Sequence, residues 1–349
     1  MVDIDKLVRP HILKLKAYSS ARDEYTGKKG IFLDANENPI GSTSRKSYNR
    51  YPDPYQKSLK KAIGKLKNIS PSKIFLGNGS DEAIDLLVRI FCTPQEDSII
   101  TMPPTFEMYK VAAEINQNEV IEVPLNREFQ IHTSKVIEAI QPNTKIVFIC
   151  TPNNPTGNCM ERDSILDILK DFKGIIVIDE AYLDFSSDPG YMDLLENYNN
   201  LVILQTFSKA WGLAGLRLGM TFANERIIEL LNKVKPPYNI NLATQSLALK
   251  ALKKVEYKDF MVQQLLAERK ILILELSNLD IVEKVYPSDS NFLLVKFNDA
   301  EKVYRHLLNN KIIVRSRSNV ALCENALRIT IGNEKENDIL ITTLKSYKA

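Results

Sequence analysis

The sequence predicts an α/β protein. A large unit with a mostly parallel central sheet flanked by helices is expected, then a smaller α+β C-terminal domain, with an N-terminal arm in front. Three observations carry this expectation. Short apolar runs alternate with amphipathic stretches up to about residue 225. Several of those runs, Ile146–Cys150 above all, are apolar at every position, as in parallel strands buried on both faces. After Val255–Leu279, a long stretch without Gly or Pro, the pattern changes to shorter strands and helices.

Taken in order, the first forty residues hold two strand-poor segments and read as an arm that packs with the small domain. Lys73–Gly77 reads as a strand running into Asn78-Gly79-Ser80. A helix follows, with Ser80 as N-cap and Asp81 and Glu82 in its first turn, where carboxylates complement the helix dipole. Ile84, Leu87, Val88 and Phe91 give that helix one apolar face. Ser98–Met102 is a short strand, stopped by Pro103-Pro104. Ile146–Cys150 leads into the Pro/Asn/Gly-rich loop Thr151–Gly157, and Ile165, Ile168, Leu169 and Phe172 mark the next helix. Ile175–Ile178 and Leu201–Leu204 are buried strands, and Arg217–Phe222 is another. Beyond the Val255–Leu279 helix, the segments Ile281–Tyr286, Asn291–Phe297, Lys311–Arg315 and Ala326–Ile331, with helices at Asp299–Asn309 and Glu334–Tyr347, form the small domain. The expected division is an arm over 1–45, a large unit over 46–250 and a small unit over 251–349.

Composition narrows the function. Of 349 residues, 44% are hydrophobic and 26% charged, an ordinary globular balance that excludes a fibrous or disordered chain. Lys plus Arg is 46 against 43 Asp plus Glu, a net +3. Apart from the Lys57–Lys67 cluster, which reads as a solvated helix face, the basic residues are scattered, so no nucleic-acid partner is expected. No apolar run approaches the ~20 residues that span a bilayer, so no membrane partner is expected either. Met1–Lys6 is polar and no apolar signal segment follows, so the expectation is a soluble cytoplasmic chain. Cys92, Cys150, Cys159 and Cys323 lack CxxC spacing, and His11, His132 and His306 lie far apart. Neither a disulfide scaffold nor a metal site is expected. Difficult chemistry must then come from other side chains or from an organic cofactor.

Polar residues gather at the C-terminal ends of the proposed strands, the edge where open α/β sheets bind ligands. Asn78-Gly79-Ser80-Asp81 closes one strand and Asn153-Asn154-Pro155-Thr156-Gly157 another. Asp179-Glu180-Ala181-Tyr182 ends a third, and Thr206-Phe207-Ser208-Lys209 a fourth, with Gly215-Leu216-Arg217 shortly after. Each piece alone is an ordinary feature: a Gly-Ser before a helix is commonly a plain cap, and NNPTG commonly a turn. Their joint order and their placement at strand ends are what point to a site.

These segments resemble the fold type I pyridoxal 5'-phosphate (PLP) enzymes, specifically class II aminotransferases. The carriers are Asn154-Pro155-Thr156-Gly157, Asp179-Glu180-Ala181-Tyr182 and the run from Ser208-Lys209 to Arg217, with spacings of 25 and 30 residues from Asn154 to Asp179 to Lys209. The resemblance covers nearly the whole chain and implies a large PLP-binding domain. It implies that Lys209 attaches PLP and later moves a proton, which requires an ammonium pKa lowered from ~10.4 by burial and nearby positive charge. It implies that Asp179 pairs with the ring nitrogen and that Tyr182 and Asn154 bond the ring's phenolic oxygen. For the phosphate it implies the helix start Gly79-Ser80-Asp81, the hydroxyls of Thr206 and Ser208, and the Arg217 fork. Phe106, in Pro103-Pro104-Thr105-Phe106-Glu107-Met108-Tyr109, falls where an aromatic stacks on the ring. Relatives commonly carry Tyr there, so the hydroxyl is lost here. Tyr51, in Asn49-Arg50-Tyr51-Pro52, is implied to reach the phosphate held by the neighbouring subunit of a homodimer; a partly buried loop aromatic is the plainer reading.

Further segments are similar to the histidinol-phosphate aminotransferase family. They are Leu33-Asp34-Ala35-Asn36-Glu37-Asn38-Pro39, Asn49-Arg50-Tyr51-Pro52, Ala17-Tyr18-Ser19-Ser20-Ala21-Arg22 and Ala326-Leu327-Arg328-Ile329-Thr330-Ile331-Gly332. The implied reaction converts L-histidinol phosphate and 2-oxoglutarate into imidazole-acetol phosphate and L-glutamate. The implied substrate-binding residues are Tyr18, Asn36, Arg315 and Arg328, since a guanidinium fork suits both phosphate and carboxylate. Arg317 competes with Arg315, because residues two apart on a strand share a face; the resemblance favours Arg315, whose thirteen-residue spacing to Arg328 matches that of the family. An aromatic or broad-specificity aminotransferase and a decarboxylase of threonine phosphate remain alternatives at this level. A dinucleotide-binding fold is disfavoured, because Gly77-Asn78-Gly79 lacks the third glycine of the fingerprint.

Overall fold

Seven strands form the large sheet: β1 (Ile74–Asn78), β2 (Ser98–Thr101), β3 (Glu119–Glu122), β4 (Thr144–Cys150), β5 (Ile175–Asp179), β6 (Leu201–Thr206) and β7 (Leu218–Ala223). Their order is β1-β7-β6-β5-β4-β2-β3. Neighbours from β3 to β6 pair in parallel, while β7 runs antiparallel to both β1 and β6. The structure is a computed structural model, and it describes residues 1–17, 30–44 and 46–347.

Strand residues are apolar on both faces because helices cover both. On β5, Ile175 and Val177 join one apolar core while Ile176 and Ile178 join the other. The chain opens with α1 (Ile4–Leu7) and α2 (Pro10–Lys14). Then come α3 (Lys57–Lys67), α4 (Ser80–Phe91), α5 (Met108–Ile115), α6 (Thr133–Glu138), α7 (Arg162–Asp171), α8 (Glu225–Val234) and α9 (Leu242–Ala251). Apolar faces of α1, α2, α4, α5 and α8 fill the Val177 side. Those of α3, α6, α7 and α9 fill the Ile178 side.

The second sheet contains β8 (Val282–Val285), β9 (Phe292–Phe297), β10 (Arg315–Ser316) and β11 (Ala326–Thr330), antiparallel throughout in the order β10-β11-β9-β8. It packs with α10 (Val255–Ser277), α11 (Ala300–Asn309) and α12 (Glu334–Ser346). α10 serves both sheets. Leu272 and Leu276 enter the small core, whereas Val262 meets Tyr182, Phe185 and Phe292 between the sheets.

Several expectations change. The described start of the arm packs on the large sheet's helices rather than on the small domain, because Ile4, Val8 and Ile12 complete the apolar layer of α4 and α8. The Lys57–Lys67 cluster is helical but only partly solvated: Leu59 and Ile63 enter the core and Lys60 is buried. The N-cap of α4 is Gly79, with Ser80 already helical. Arg217 is not in a strand. It sits at φ 50°, closing a short 3₁₀ turn over Ala214–Leu216, so β7 starts one residue later. The strand expected over Lys311–Arg315 shrinks to Arg315–Ser316, because Lys311 takes a left-handed φ of 62° that breaks extended backbone. No helix of the described residues is long and apolar enough to cross a membrane.

Candidate active site

Strand register brings the polar strand ends together. Cys150 of β4 lies opposite Asp179 of β5, and Asp179 lies opposite Leu204 of β6. Antiparallel β7 returns to the same edge, where Gly219 faces Thr206 and Gly77 while Leu218 faces Asn78. Arg217, one residue before β7, therefore arrives beside the start of α4 although it is 136 residues from Asp81. The cleft at this edge is lined by Gly79, Ser80, Asp81, Phe106, Asn154, Asp179, Tyr182, Thr206, Ser208, Lys209 and Arg217, together with Cys150 and Ala181.

Two glycines allow this approach. Gly79 has φ 74° and ψ 172°, a conformation essentially reserved for glycine, and a Cβ on it would lie 2.7 Å from the Arg217 guanidinium. A Cβ on Gly219 would lie 2.4 Å from the Ser80 nitrogen. The Gly79 N–H donates to the Arg217 carbonyl at 2.8 Å, and Arg217 Nη2 donates to Asp81 Oδ2 at 3.1 Å. Thr206 Oγ1 accepts from the Ser208 N–H at 3.0 Å, which turns the chain out of β6 toward Lys209.

Asp179 is 3% exposed. The Tyr109 hydroxyl donates to its Oδ2 at 2.8 Å, and the Ala181 N–H donates to its Oδ1 at 3.0 Å. Burial pushes its pKa up to about 6, opposed by those two donors. Among the described residues no ammonium or guanidinium lies within ion-pairing distance of it. Lys209 is half-buried, with Nζ 5.2 Å from the centroid of the Tyr182 ring. Burial lowers its pKa, and Arg328 adds to the effect through like charge. Tyr182 is buried edge-on against Phe292, with ring centroids 5.1 Å apart, and burial raises the pKa of its phenol.

The small sheet contributes arginines from across the cleft. Arg328 on β11 donates through Nη1 to Asn154 Oδ1. Arg315 on β10 is its direct register partner, so the two side chains share one face of the sheet. Arg315 is exposed, whereas Arg317 is mostly covered and donates to Glu107 Oε1 at 2.9 Å. Two sequence-predicted residues lie elsewhere in this chain. Tyr51 and Asn36 line a second cleft of about 540 Å³, where Tyr51 stacks on Tyr238 with ring centroids 4.5 Å apart. Tyr51 is 50% exposed. Tyr18 lies outside the described residues.

Two side chains at the site had no role in the sequence reading. Asn153 is fully buried; its Nδ2 donates to the Pro104 carbonyl and Thr156 Oγ1, and its Oδ1 accepts from Thr105, fastening the loop after β4 to the loop after β2. Tyr109 reaches Asp179 from α5. The available signal was its helical phase, since Tyr109, Ala112 and Ala113 lie on one buried face. Nothing local marked its hydroxyl.

Chemically, the cleft combines a buried carboxylate, a lysine biased toward its neutral form, and an anion cradle between a helix N-terminus and Arg217. The Arg328 guanidinium reaches its lining from the small sheet through Asn154. The family model for aminotransferase class I and II matches residues 22–344. The chain is 53% identical over 344 residues to the histidinol-phosphate aminotransferase of Cytophaga hutchinsonii, covering 99% of each chain. Its fold is similar to the crystal structure of the histidinol-phosphate aminotransferase from Clostridium acetobutylicum, with a TM-score of 0.79 at 28% identity over 85% of this chain and 90% of that one. The histidinol-phosphate aminotransferase from Sinorhizobium meliloti, solved in complex with pyridoxal-5'-phosphate, shares the fold with a TM-score of 0.79 at 20% identity, covering 89% and 90% of the two chains.

Proposed function

Because this chain belongs to the aminotransferase class I and II family, we propose that it transfers the amino group of L-histidinol phosphate to 2-oxoglutarate with PLP as cofactor. The products are imidazole-acetol phosphate and L-glutamate, and the step belongs to histidine biosynthesis. One observation carries the chemistry: Asp179, a buried carboxylate without a cationic partner among the described residues, shares a cleft with Lys209, whose pKa burial lowers.

The residues fit the cofactor. A carboxylate buried without a cation suits a protonated ring nitrogen, which would complete its ion pair. The cradle at Gly79, which a Cβ would fill, suits a phosphate held by the N-terminus of α4 and the Arg217 fork, with the Ser80, Thr206 and Ser208 hydroxyls beside it. Asp81 already partners Arg217 at this cradle. Phe106 offers a face for the ring, and Asn154 and Tyr182 offer donors for its phenolic oxygen. When bound, PLP supplies the electron sink that makes the substrate Cα–H acidic.

The protein's part is positioning and proton transfer. Burial and the like charge of Arg328 lower the pKa of Lys209, which makes its neutral amine, the form that would remove a proton from Cα and return it elsewhere, easier to reach. Asp179 would hold the negative charge that meets the ring nitrogen. Arg328 and Arg315, opposed on one face without an acidic partner between them in register, suit an anionic substrate group, because like charges directly opposite cost stability until a counter-anion arrives. The same pair serves the phosphate of one substrate and a carboxylate of the other, with Tyr18 assisting. We further read the enzyme as a cytoplasmic homodimer in which the exposed Tyr51 reaches the partner's phosphate site. The functional division is an arm over 1–45, a cofactor-binding unit over 46–250 and a small unit over 251–349.

The test is spectroscopic. L-Histidinol phosphate is added to the PLP-loaded protein without a keto acid, and the visible band of the bound cofactor is followed. Loss of the band, with return on adding 2-oxoglutarate, is the expected result. A band indifferent to histidinol phosphate would overturn the substrate and favour an aromatic aminotransferase or a phospho-amino-acid decarboxylase. Absence of any band after adding PLP would overturn the role of Lys209.

A further inference from the structure

Tyr109 is fully buried in the first turn of α5, on the apolar side of the large sheet that also receives Cys150 and Val177. Residues alternate in direction along β5, so Asp179 points to the same side as Val177 and Ile175, toward α5. The Tyr109 ring stacks on Phe148 with centroids 4.7 Å apart and planes 8° from parallel. It makes a T-shaped contact with Phe106, with centroids 5.5 Å apart and planes 83° from parallel. Its hydroxyl donates to Asp179 Oδ2 at 2.8 Å, across 70 residues of sequence.

These contacts constrain the carboxylate from both ends. The Ala181 N–H holds Oδ1 and the phenol holds Oδ2, so rotation of the carboxylate loses both bonds. A rigid ring held against both Phe148 and Phe106 sets where the phenol can donate. We propose that Tyr109 is a positioning residue of the reaction: its hydroxyl holds the Asp179 carboxylate in the orientation and ionised form that meets the ring nitrogen of PLP. Its ring also steadies Phe106, the aromatic read as stacking on that of PLP. The inference rests on the PLP reading of the cleft.

The test compares the wild type with Tyr109→Phe, which keeps the ring and both aromatic contacts and deletes the hydroxyl. PLP affinity is titrated from pH 5 to 8, alongside the thermal midpoint of the cofactor-free protein. The groups that act on Asp179 in this titration are Tyr109, Ala181, Asp81 and Lys209, with Cys150 opposite it in register. In the variant, PLP affinity should fall about tenfold at neutral pH, as for a hydrogen bond to a charged group, and its acid limb should move to higher pH. kcat should fall while the KM values of both substrates stay within twofold. In an Asp179→Asn background the same substitution should change PLP affinity less than twofold. Equal affinity in wild type and variant, or equal loss in both backgrounds, would overturn the proposal and leave Tyr109 a packing residue. If Tyr109→Phe does not fold, 3-fluorotyrosine at position 109 gives a more acidic phenol on the same frame. It should move the acid limb to lower pH, and an unmoved limb would overturn the proposal. A wild-type chain that binds no PLP would instead refute the cofactor reading.

Discussion

Arg328 Nη1 donates to Asn154 Oδ1, so the last strand of the small sheet is tied to the loop that follows β4 of the large one. The guanidinium is already positioned over the cleft, 5.4 Å from the Phe292 ring centroid. It is partly buried, and among its neighbours Arg317 and Arg315 add like charge while Tyr182 opposes it. Such a group gains when an anion arrives.

Replacing Arg328 with Ala removes that anchor and the restraint on Asn154. The KM values for histidinol phosphate and for 2-oxoglutarate should both rise tenfold or more in steady-state assays, because both substrates lose an anion partner. An unchanged KM for histidinol phosphate would assign the phosphate to a different arginine.

Arg315 and Arg317 separate by their partners. Arg317 is already committed to Glu107 at 2.9 Å, whereas Arg315 is exposed opposite Arg328. Arg315→Ala should raise the KM for histidinol phosphate about fivefold or more. Arg317→Ala should change it by less than threefold and should instead lower the thermal midpoint, since a contact between the segment after β10 and the loop after β2 is lost. The reverse ranking would move the anion site to Arg317.

Gly79→Ala places a Cβ 2.7 Å from the Arg217 guanidinium at a φ of 74°. The backbone conformation alone costs ~1–3 kcal/mol for a residue with a side chain. Chemical denaturation of the cofactor-free protein should show a loss of that size, and PLP affinity should fall about tenfold as Arg217 is displaced. Wild-type affinity would remove the α4 N-terminus and Arg217 from the phosphate site.

Glu180 carries a pH signature of its own. It is buried, its Oε1 accepts from the Tyr191 N–H at 2.7 Å and its Oε2 from Gln205 Nε2 at 2.8 Å. Burial still pushes its pKa from 4.5 up to about 7. A folded pKa above the unfolded one means the folded state holds a proton that the unfolded chain has released. The contribution is fully present below about pH 4.5 and is lost as pH rises through about 7. The wild-type unfolding free energy should therefore decline from pH 5 to 7.5. In Glu180→Gln this decline should shrink by on the order of 2 kcal/mol, measured by denaturation at each pH. Asp179, pushed up to about 6, leaves a residual slope of the same sign in the variant.

Much of the large sheet was legible in sequence because β4, β5 and β6 are buried on both faces, and the interiors of such strands read as continuous apolar runs. The edge strand β3, Glu119-Val120-Ile121-Glu122, has no such signature: two half-buried residues between two exposed glutamates are too few to set a period. The helix α3 was misjudged for a related reason. Its lysines suggested solvent, yet Lys60 is buried, because a long side chain can lie along apolar surface.

The sequence by itself determined which residues stand at the strand ends: Asn154, Asp179, Thr206, Lys209 and Arg217 are local consequences of where each apolar run stops. It could not determine which of these ends meet, or what reaches them from elsewhere. Tyr109 finds Asp179 across 70 residues, Arg317 finds Glu107 across 210, and Arg328 finds Asn154 across 174. Those pairings depend on strand order, on β7 running back against β6, and on the register of β10 with β11. The physical reason is that a side chain's own segment decides its direction, but its partner is decided only when separately formed elements pack. A hydroxyl such as that of Tyr109 carries no local mark of the carboxylate it will hold.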